Sequence, residues 1–241
     1  MSLSNSLRVR GVGGTLQLAW RRFRDKDGTP AYILSRTLDL ERFDREHHVE
    51  TAGLIELDEL EISSPSKKHG VRYGGASPWI FKDLMARLPI DHSKYTFIDI
   101  GSGKGAALFQ ASDYPFREII GVEFSLQLHQ AALRNLRSFR SNTQRCTKIT
   151  PICEDASAYE YPPGPWVLFF NSPFDVPLWK LTADNIARCA EGHPGSYLIH
   201  MNRGFVPGTP EFVESIPFLR RIYCDDVSAI FECIPVPGAP A

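Results

Sequence analysis

Residues 97–105, Phe-Ile-Asp-Ile-Gly-Ser-Gly-Lys-Gly, constrain the fold of this 241-residue chain more than any other stretch. An apolar run carrying one acid stops at a glycine turn, and Ala106 to Ala111 continue it as a helix-like stretch. A strand that feeds a glycine turn and then a helix start is built to cradle a nucleotide-like ligand. Glycines at 101 and 103 let the backbone approach that ligand where a side chain would block it. Asp99, two residues ahead of the turn, offers it a carboxylate.

The pattern around this motif alternates. Pro78 to Leu88 reads as a helix, with Ile80, Leu84 and Leu88 at helical spacing. Strands are expected at 95–100, 118–123, 149–153, 167–170 and 196–201, and helices at 106–112, at 181–189 and after Ser125, which can cap its helix. Arg221 to Cys224 and Ala229 to Cys233 flank Asp225-Asp226 and read as a terminal hairpin. Seven strands alternating with helices predict an α/β fold. It is a doubly wound, mostly parallel sheet with an antiparallel strand from the C-terminal hairpin.

The first 70 residues are different in kind. Arg8, Arg10, Arg21, Arg22, Arg24 and Lys26 make the start basic, and nine acids crowd residues 39–61. Solvated helical faces account for both runs, with a substrate-recruiting arm as the alternative. Ser63 to Gly70 reads as a linker, which divides the chain into an N-terminal extension (1–70) and a main domain (71–241).

Hydrophobic content of 43% and charged content of 23% fit an ordinary globular protein with a full core. The net charge of −1 weakly disfavours nucleic acid as a partner. No apolar run approaches the ~20 residues that cross a bilayer, so no membrane role is expected. The N-terminus lacks a signal-like apolar core, which makes the cytoplasm the expected location. Five cysteines with no C-x-x-C pair support neither a disulfide framework nor a zinc site, and the adjacent His47 and His48 chelate poorly.

Three ligands compete for the glycine turn. A P-loop is excluded, because Lys104 is followed by Gly105 and Ile98 stands where its first glycine belongs. A dinucleotide fingerprint is satisfied by Gly101, Gly103 and Ala106, with Glu123 as its distal acid. That pattern is common, and three acids at successive strand ends favour S-adenosylmethionine instead. Asp99 suits the methionyl ammonium side, Glu123 the two ribose hydroxyls, and Asp155 the adenine amino group. Ligands of open α/β sheets bind at these carboxyl ends.

The series Phe97 to Gly105, then Ile119-Ile120-Gly121-Val122-Glu123-Phe124-Ser125, then Glu154-Asp155-Ala156, resembles the motifs of class I S-adenosylmethionine-dependent methyltransferases over residues 73–233. Phe43-Asp44-Arg45 with Thr51-Ala52-Gly53, Tyr73 with Pro78, and Tyr114-Pro115-Phe116-Arg117 are similar to an uncharacterised bacterial group of them. The resemblance implies a Rossmann-like sheet and cofactor contacts at Tyr73, Asp99, Gly101, Ser102, Gly103, Glu123, Phe124, Asp155, Ala156 and Asn171. Asn171-Ser172-Pro173-Phe174 resembles the Asn-Pro-Pro-Phe/Tyr loop of amino-methylating enzymes, which implies catalytic roles for Asn171, Ser172 and Phe174. The bacterial group has Tyr-Asn-Pro-Phe here, so Ser172 competes with Asn171 for the substrate-facing place. Class I histone-lysine methyltransferases carry a similar loop, which keeps a protein lysine among the acceptors.

His200 and Tyr73 are candidate bases, needed only if the nucleophile arrives protonated. The function expected is methyl transfer to nitrogen or oxygen of a protein side chain or small molecule. An NAD-dependent oxidoreductase and a non-catalytic cofactor-binding relative are the alternatives.

Overall fold

The expected alternation is realised in a computed structural model that describes residues 30–190 and 195–235. The basic run from Arg8 to Lys26 lies outside the described residues. The chain opens with helix α1 (Pro30–His47), two short strands β1 (Leu54–Ile55) and β2 (Tyr73–Gly74), and helix α2 (Pro78–Met85). Then come β3 (Thr96–Ile100), α3 (Ala106–Ala111), β4 (Glu118–Glu123), α4 (Leu126–Ser138), β5 (Ile149–Cys153) and β6 (Trp166–Phe170). The last elements are α5 (Val176–Ala190), β7 (Tyr197–Met201), α6 (Thr209–Ser215), β8 (Leu219–Cys224) and β9 (Ser228–Cys233).

Seven strands form one sheet in the order β5-β4-β3-β6-β7-β9-β8. The pairs among β3 to β7 are parallel, while β9 runs antiparallel to both β7 and β8. Every residue of β3, β6 and β7 is buried, as parallel strands covered on both faces require. Alternate side chains serve opposite layers. Phe97, Phe169 and Ile199 pack with α2 and α3, whereas Ile98, Phe170 and Leu198 pack with Trp179 of α5. Chain order reverses beside β3, where β4 lies on one side and β6 on the other. Ligands of such sheets bind outside the strand ends at that point.

Two local expectations change. Helix α5 starts at Val176 and not at Leu181, because the Asp175 carboxylate accepts a hydrogen bond from the Leu178 amide (3.4 Å) and Pro177 fits a first helical turn. Ser63 to Gly70 is not a free linker. Pro65–His69 forms a 3-10 turn capped by Ser64, whose hydroxyl also donates to Asp155 (2.5 Å). Among the nine acids of 39–61, Asp44 turns inward. It accepts hydrogen bonds from the Thr51 amide (2.6 Å), the Thr51 hydroxyl (2.7 Å) and the Ala52 amide (2.7 Å). Glu46, Glu50, Glu56, Asp58, Glu59 and Glu61 are exposed, as a solvated face requires.

Candidate active site

The glycine turn follows β3 and is pinned to its neighbour, since the Gly101 and Ser102 amides both donate to the Val122 carbonyl (2.9 and 3.1 Å). Gly101 (φ 78°) and Gly103 (φ 55°) hold left-handed backbone. A Cβ at Gly101 would lie 2.4 Å from Pro173, and one at Gly103 would lie 2.2 Å from the Tyr73 ring. Both glycines are therefore needed for close packing as well as for conformation. Ser102 is buried with its hydroxyl against Gly121 and without a hydrogen-bond partner among the described residues.

Two acids sit under this turn. Asp99 is 3% exposed, and its Oδ1 has no partner among the described residues. Burial, then the proximity of Glu123, raises its carboxyl well above the usual carboxylate range. Glu123 ends β4 and accepts from the Gly103 amide through Oε2 and from the Ser125 amide through Oε1, both at 2.8 Å. Burial still pushes it up to about 7 against those hydrogen bonds. Asp155 differs. Burial alone would raise it, but hydrogen bonds from Ser64, Ser66 and Ser157 outweigh that and hold it below its ordinary value.

Residues 44–75 reach over the turn. The Tyr73 hydroxyl donates to the Thr51 carbonyl (2.5 Å), and the Lys104 ammonium donates to the Ala52 carbonyl (2.9 Å). Asn135 of α4 bonds both the Lys104 carbonyl (3.0 Å) and the backbone of Glu50. Phe43-Asp44-Arg45 and Thr51-Ala52-Gly53 thus belong to one device that docks the N-terminal segment on the glycine turn. Burial, then Asp44, Glu123 and Asp99, raises the Tyr73 phenol well above its ordinary value.

The loop after β6 is held as tightly. Asn171 donates from Nδ2 to the Gly74 carbonyl (2.9 Å), and its Oδ1 accepts from Asn202. Ser172 has left-handed backbone (φ 48°) and turns its hydroxyl inward, onto His200 Nε2 (3.1 Å) and the Met201 and Asn202 carbonyls (3.0 and 2.8 Å). Phe174 packs edge-on against Phe170 and Trp179. His200 is fully buried, and burial, then Arg203, drives its imidazole down to about 3. It is bonded to Ser172 and does not line the cleft that runs between these parts. Residues 69–71 pair with 173–175 through Val71 to Pro173 (3.3 Å), Asp175 to His69 (2.9 Å) and a bridge between Gly70 and Phe174.

One cleft of about 670 Å³, counted out to its open mouth, runs between these parts. Of the residues expected from sequence, Tyr73, Gly101, Glu123, Phe124, Asp155, Ala156, Asn171 and Phe174 line it. Asp99, Ser102, Gly103 and Ser172 do not. Leu60, Val71, Arg72, Leu128, Glu154, Pro173 and Leu178 line it without having been singled out. Leu128 lies on the buried face of α4 with Ala132 and Asn135. The others come from the N-terminal segment, the loops after β5 and β6, and, for Leu178, the first turn of α5. Among the described residues, no cluster of three or more His, Cys, Asp or Glu could hold a metal ion, and no helix is long and apolar enough to cross a membrane.

Comparison with solved structures places this architecture. TrmN from Thermus thermophilus matches with a TM-score of 0.51 at 12% identity, over 67% of this chain and 50% of that one. Its likeness and the strand order with β9 reversed decide the fold. The chain has the class I methyltransferase fold. The T. thermophilus 16S rRNA N2 G1207 methyltransferase RsmC, solved with AdoMet and guanosine, matches at 16% identity over 67% of this chain and 44% of that one (TM-score 0.49). An RNA methyltransferase from Salinibacter ruber, solved with S-adenosyl-L-homocysteine, matches at 13% identity over 70% and 97% (TM-score 0.46). This chain spans about half the length of the first two. No family model and no curated protein matches the sequence.

Proposed function

We propose that this protein uses S-adenosylmethionine to methylate a nitrogen or oxygen acceptor. The observation that carries the reading is the charge under the glycine turn. Two buried acids, Asp99 and Glu123, flank it, and the Gly103 amide is already committed to Glu123. A pyrophosphate brought there would meet carboxylates in place of free amides, whereas a cationic ligand relieves their burial. The sheet agrees, because a dinucleotide fold runs in the order 3-2-1-4-5-6 and has no reversed strand between its last two parallel ones.

The residues fit this cofactor. The Oδ1 of Asp99 has no partner among the described residues, and the left-handed turn lets Pro173 and Tyr73 pack directly onto Gly101 and Gly103 beside the cleft. In this reading Asp99, under the turn, holds the methionyl end beside Gly101, with Ser102 and Gly103 shaping the turn and Tyr73 closing over it. Glu123 holds the ribose. Asp155, Ala156 and Phe124 hold the adenine, with Leu128 and Leu178 as apolar walls. Bound there, the cofactor supplies a methyl group on a sulfonium, a centre with a good leaving group. Asn171 and Phe174 would then align the acceptor, which is most of what such a displacement asks of a protein.

The acceptor class stays broad. An overall charge near zero does not weigh against nucleic acid, because local charge at the cleft decides, and Arg72 lines it. A cofactor-binding protein without turnover is the second reading. It is favoured by Asn171, whose amide is engaged at both ends by Gly74 and Asn202. Calorimetric titration with S-adenosylmethionine and with NAD separates the cofactors. Binding of the first alone is expected, and binding of NAD alone overturns the proposal. Label passing from methyl-labelled cofactor into a host lysate then separates turnover from binding.

A further inference from the structure

We propose that Arg72 and Phe205 form the acceptor subsite, and that it takes a nucleobase carrying a phosphate. This rests on the methyltransferase reading above. Phe205, at 47% exposure, is the one aromatic side chain left exposed among the described residues. It stands in the loop after β7, where its amide donates to the Asn202 carbonyl (2.8 Å). Asn202 in turn bonds Asn171 on the cleft wall, so the ring is tied to the acceptor end of the cleft.

Arg72 lines the same cleft, and its guanidinium carbon lies 5.3 Å from the Phe205 ring centroid. Its ion partner is the exposed Glu56 at 3.5 Å, a contact that water screens. The guanidinium lies over one face of the Phe205 ring, which leaves the other face to a base that stacks and the guanidinium edge to a phosphate that pairs bidentately once the screened Glu56 contact gives way. It also opposes a lysine ammonium, which would approach a like charge. The geometry therefore chooses between acceptors that the loop at 171–174 leaves equal.

The test loads the protein with S-adenosylhomocysteine, which fills the adenine slot, and titrates in the four nucleoside 5′-monophosphates, the matching nucleosides, a short RNA oligonucleotide and a lysine peptide. At least one nucleotide is expected to bind, and to bind about tenfold tighter than its nucleoside. Phe205→Ala should weaken both by about tenfold while S-adenosylhomocysteine affinity holds, since Phe205 lies outside the cofactor cleft. Arg72→Ala should abolish the advantage of the phosphate. An oligonucleotide that binds tighter than any mononucleotide marks a nucleic-acid chain as the source, and equal binding marks a free nucleotide. Nucleotide binding untouched by Phe205→Ala, no nucleotide binding to loaded protein, or preference for the lysine peptide overturns the subsite alone. Failure of S-adenosylhomocysteine to bind overturns the proposed function, and this subsite with it.

Discussion

The two halves of the cleft are built by opposite strategies. On the glycine-turn side, buried acids keep unspent hydrogen-bonding capacity, as at Oδ1 of Asp99. On the loop side, Asn171 is engaged by Gly74 and Asn202, and Ser172 by His200 and two carbonyls. The first half stores an unfavourable arrangement that a ligand can relieve. The second spends its polar groups on holding a shape. Their responses to substitution should differ accordingly, with ligand affinity moving on one side and stability on the other.

The largest effect is expected at Asp99. Asp99→Ala should abolish S-adenosylmethionine binding, because a buried charge-assisted partner of about 2–5 kcal/mol is removed. Asp99→Asn is the sharper variant. It should weaken binding by at least about thirtyfold on the same scale. It should not lower the melting temperature, since the group it neutralises gains nothing from the fold. Calorimetry and thermal unfolding check both. Unchanged affinity sinks the cofactor assignment, and a large drop in melting temperature with intact affinity makes Asp99 a structural residue.

The next effect belongs to Glu123 and is read as a pH dependence. Its folded pKa of about 7 lies above the ordinary 4.5, so the folded protein holds this proton more tightly than the unfolded chain does. Its stabilising effect is complete below about pH 4.5 and is lost as pH rises through about 7, on the order of 3 kcal/mol for the unliganded protein. Urea unfolding across that window should show the loss, and Glu123→Gln should reduce it to the share left by Asp99, whose carboxyl is raised as well. A stability that rises from pH 5 to 8 and is indifferent to Glu123→Gln would contradict the burial argument.

The difference between the halves also explains what the sequence could reveal. The cofactor side is coded locally: Asp99, the glycines and Glu123 sit at strand ends whose apolar runs announce themselves. The sheet order follows from the same runs. The opposite wall is coded at long range, where Ser64 meets Asp155 across 91 residues and Asn171 meets Gly74 across 97. No period or spacing reports such a contact. Ser63 to Gly70 therefore reads as a linker on composition, although Ser64 and Ser66 bond Asp155 and Gly70 lines the cleft. The start of α5 was legible in principle, since Asp175 two residues before a proline is a helix-start signal.

A smaller effect is expected from Asn171→Ala. Cofactor affinity should hold within a few-fold, transfer of label to a lysate should cease, and stability should fall by about 1–2 kcal/mol as the Gly74 carbonyl and Asn202 lose a partner. Full transfer in this variant would remove Asn171 from the acceptor role. The stability cost separates anchoring from chemistry, because loosening the contact with Gly74 alone should not stop transfer completely.

The smallest effect is expected at Ser172, and it decides the register of the loop. Alignment on Pro173-Phe174 would make Ser172 the substrate-facing group, but its hydroxyl points away from the cleft onto His200 and the end of β7. Ser172→Ala should therefore cost about 1 kcal/mol of stability, the worth of a buried neutral hydrogen bond, and leave affinity and transfer nearly intact. Ser172→Asn, which restores the bacterial group's residue, should cost more, since a larger amide must enter a fully packed site beside buried His200 and Trp179. If Ser172→Ala abolishes transfer while Asn171→Ala does not, the two residues exchange roles. The loop must then turn over by one position when acceptor binds, which the left-handed backbone at Ser172 and Asn202 would have to permit.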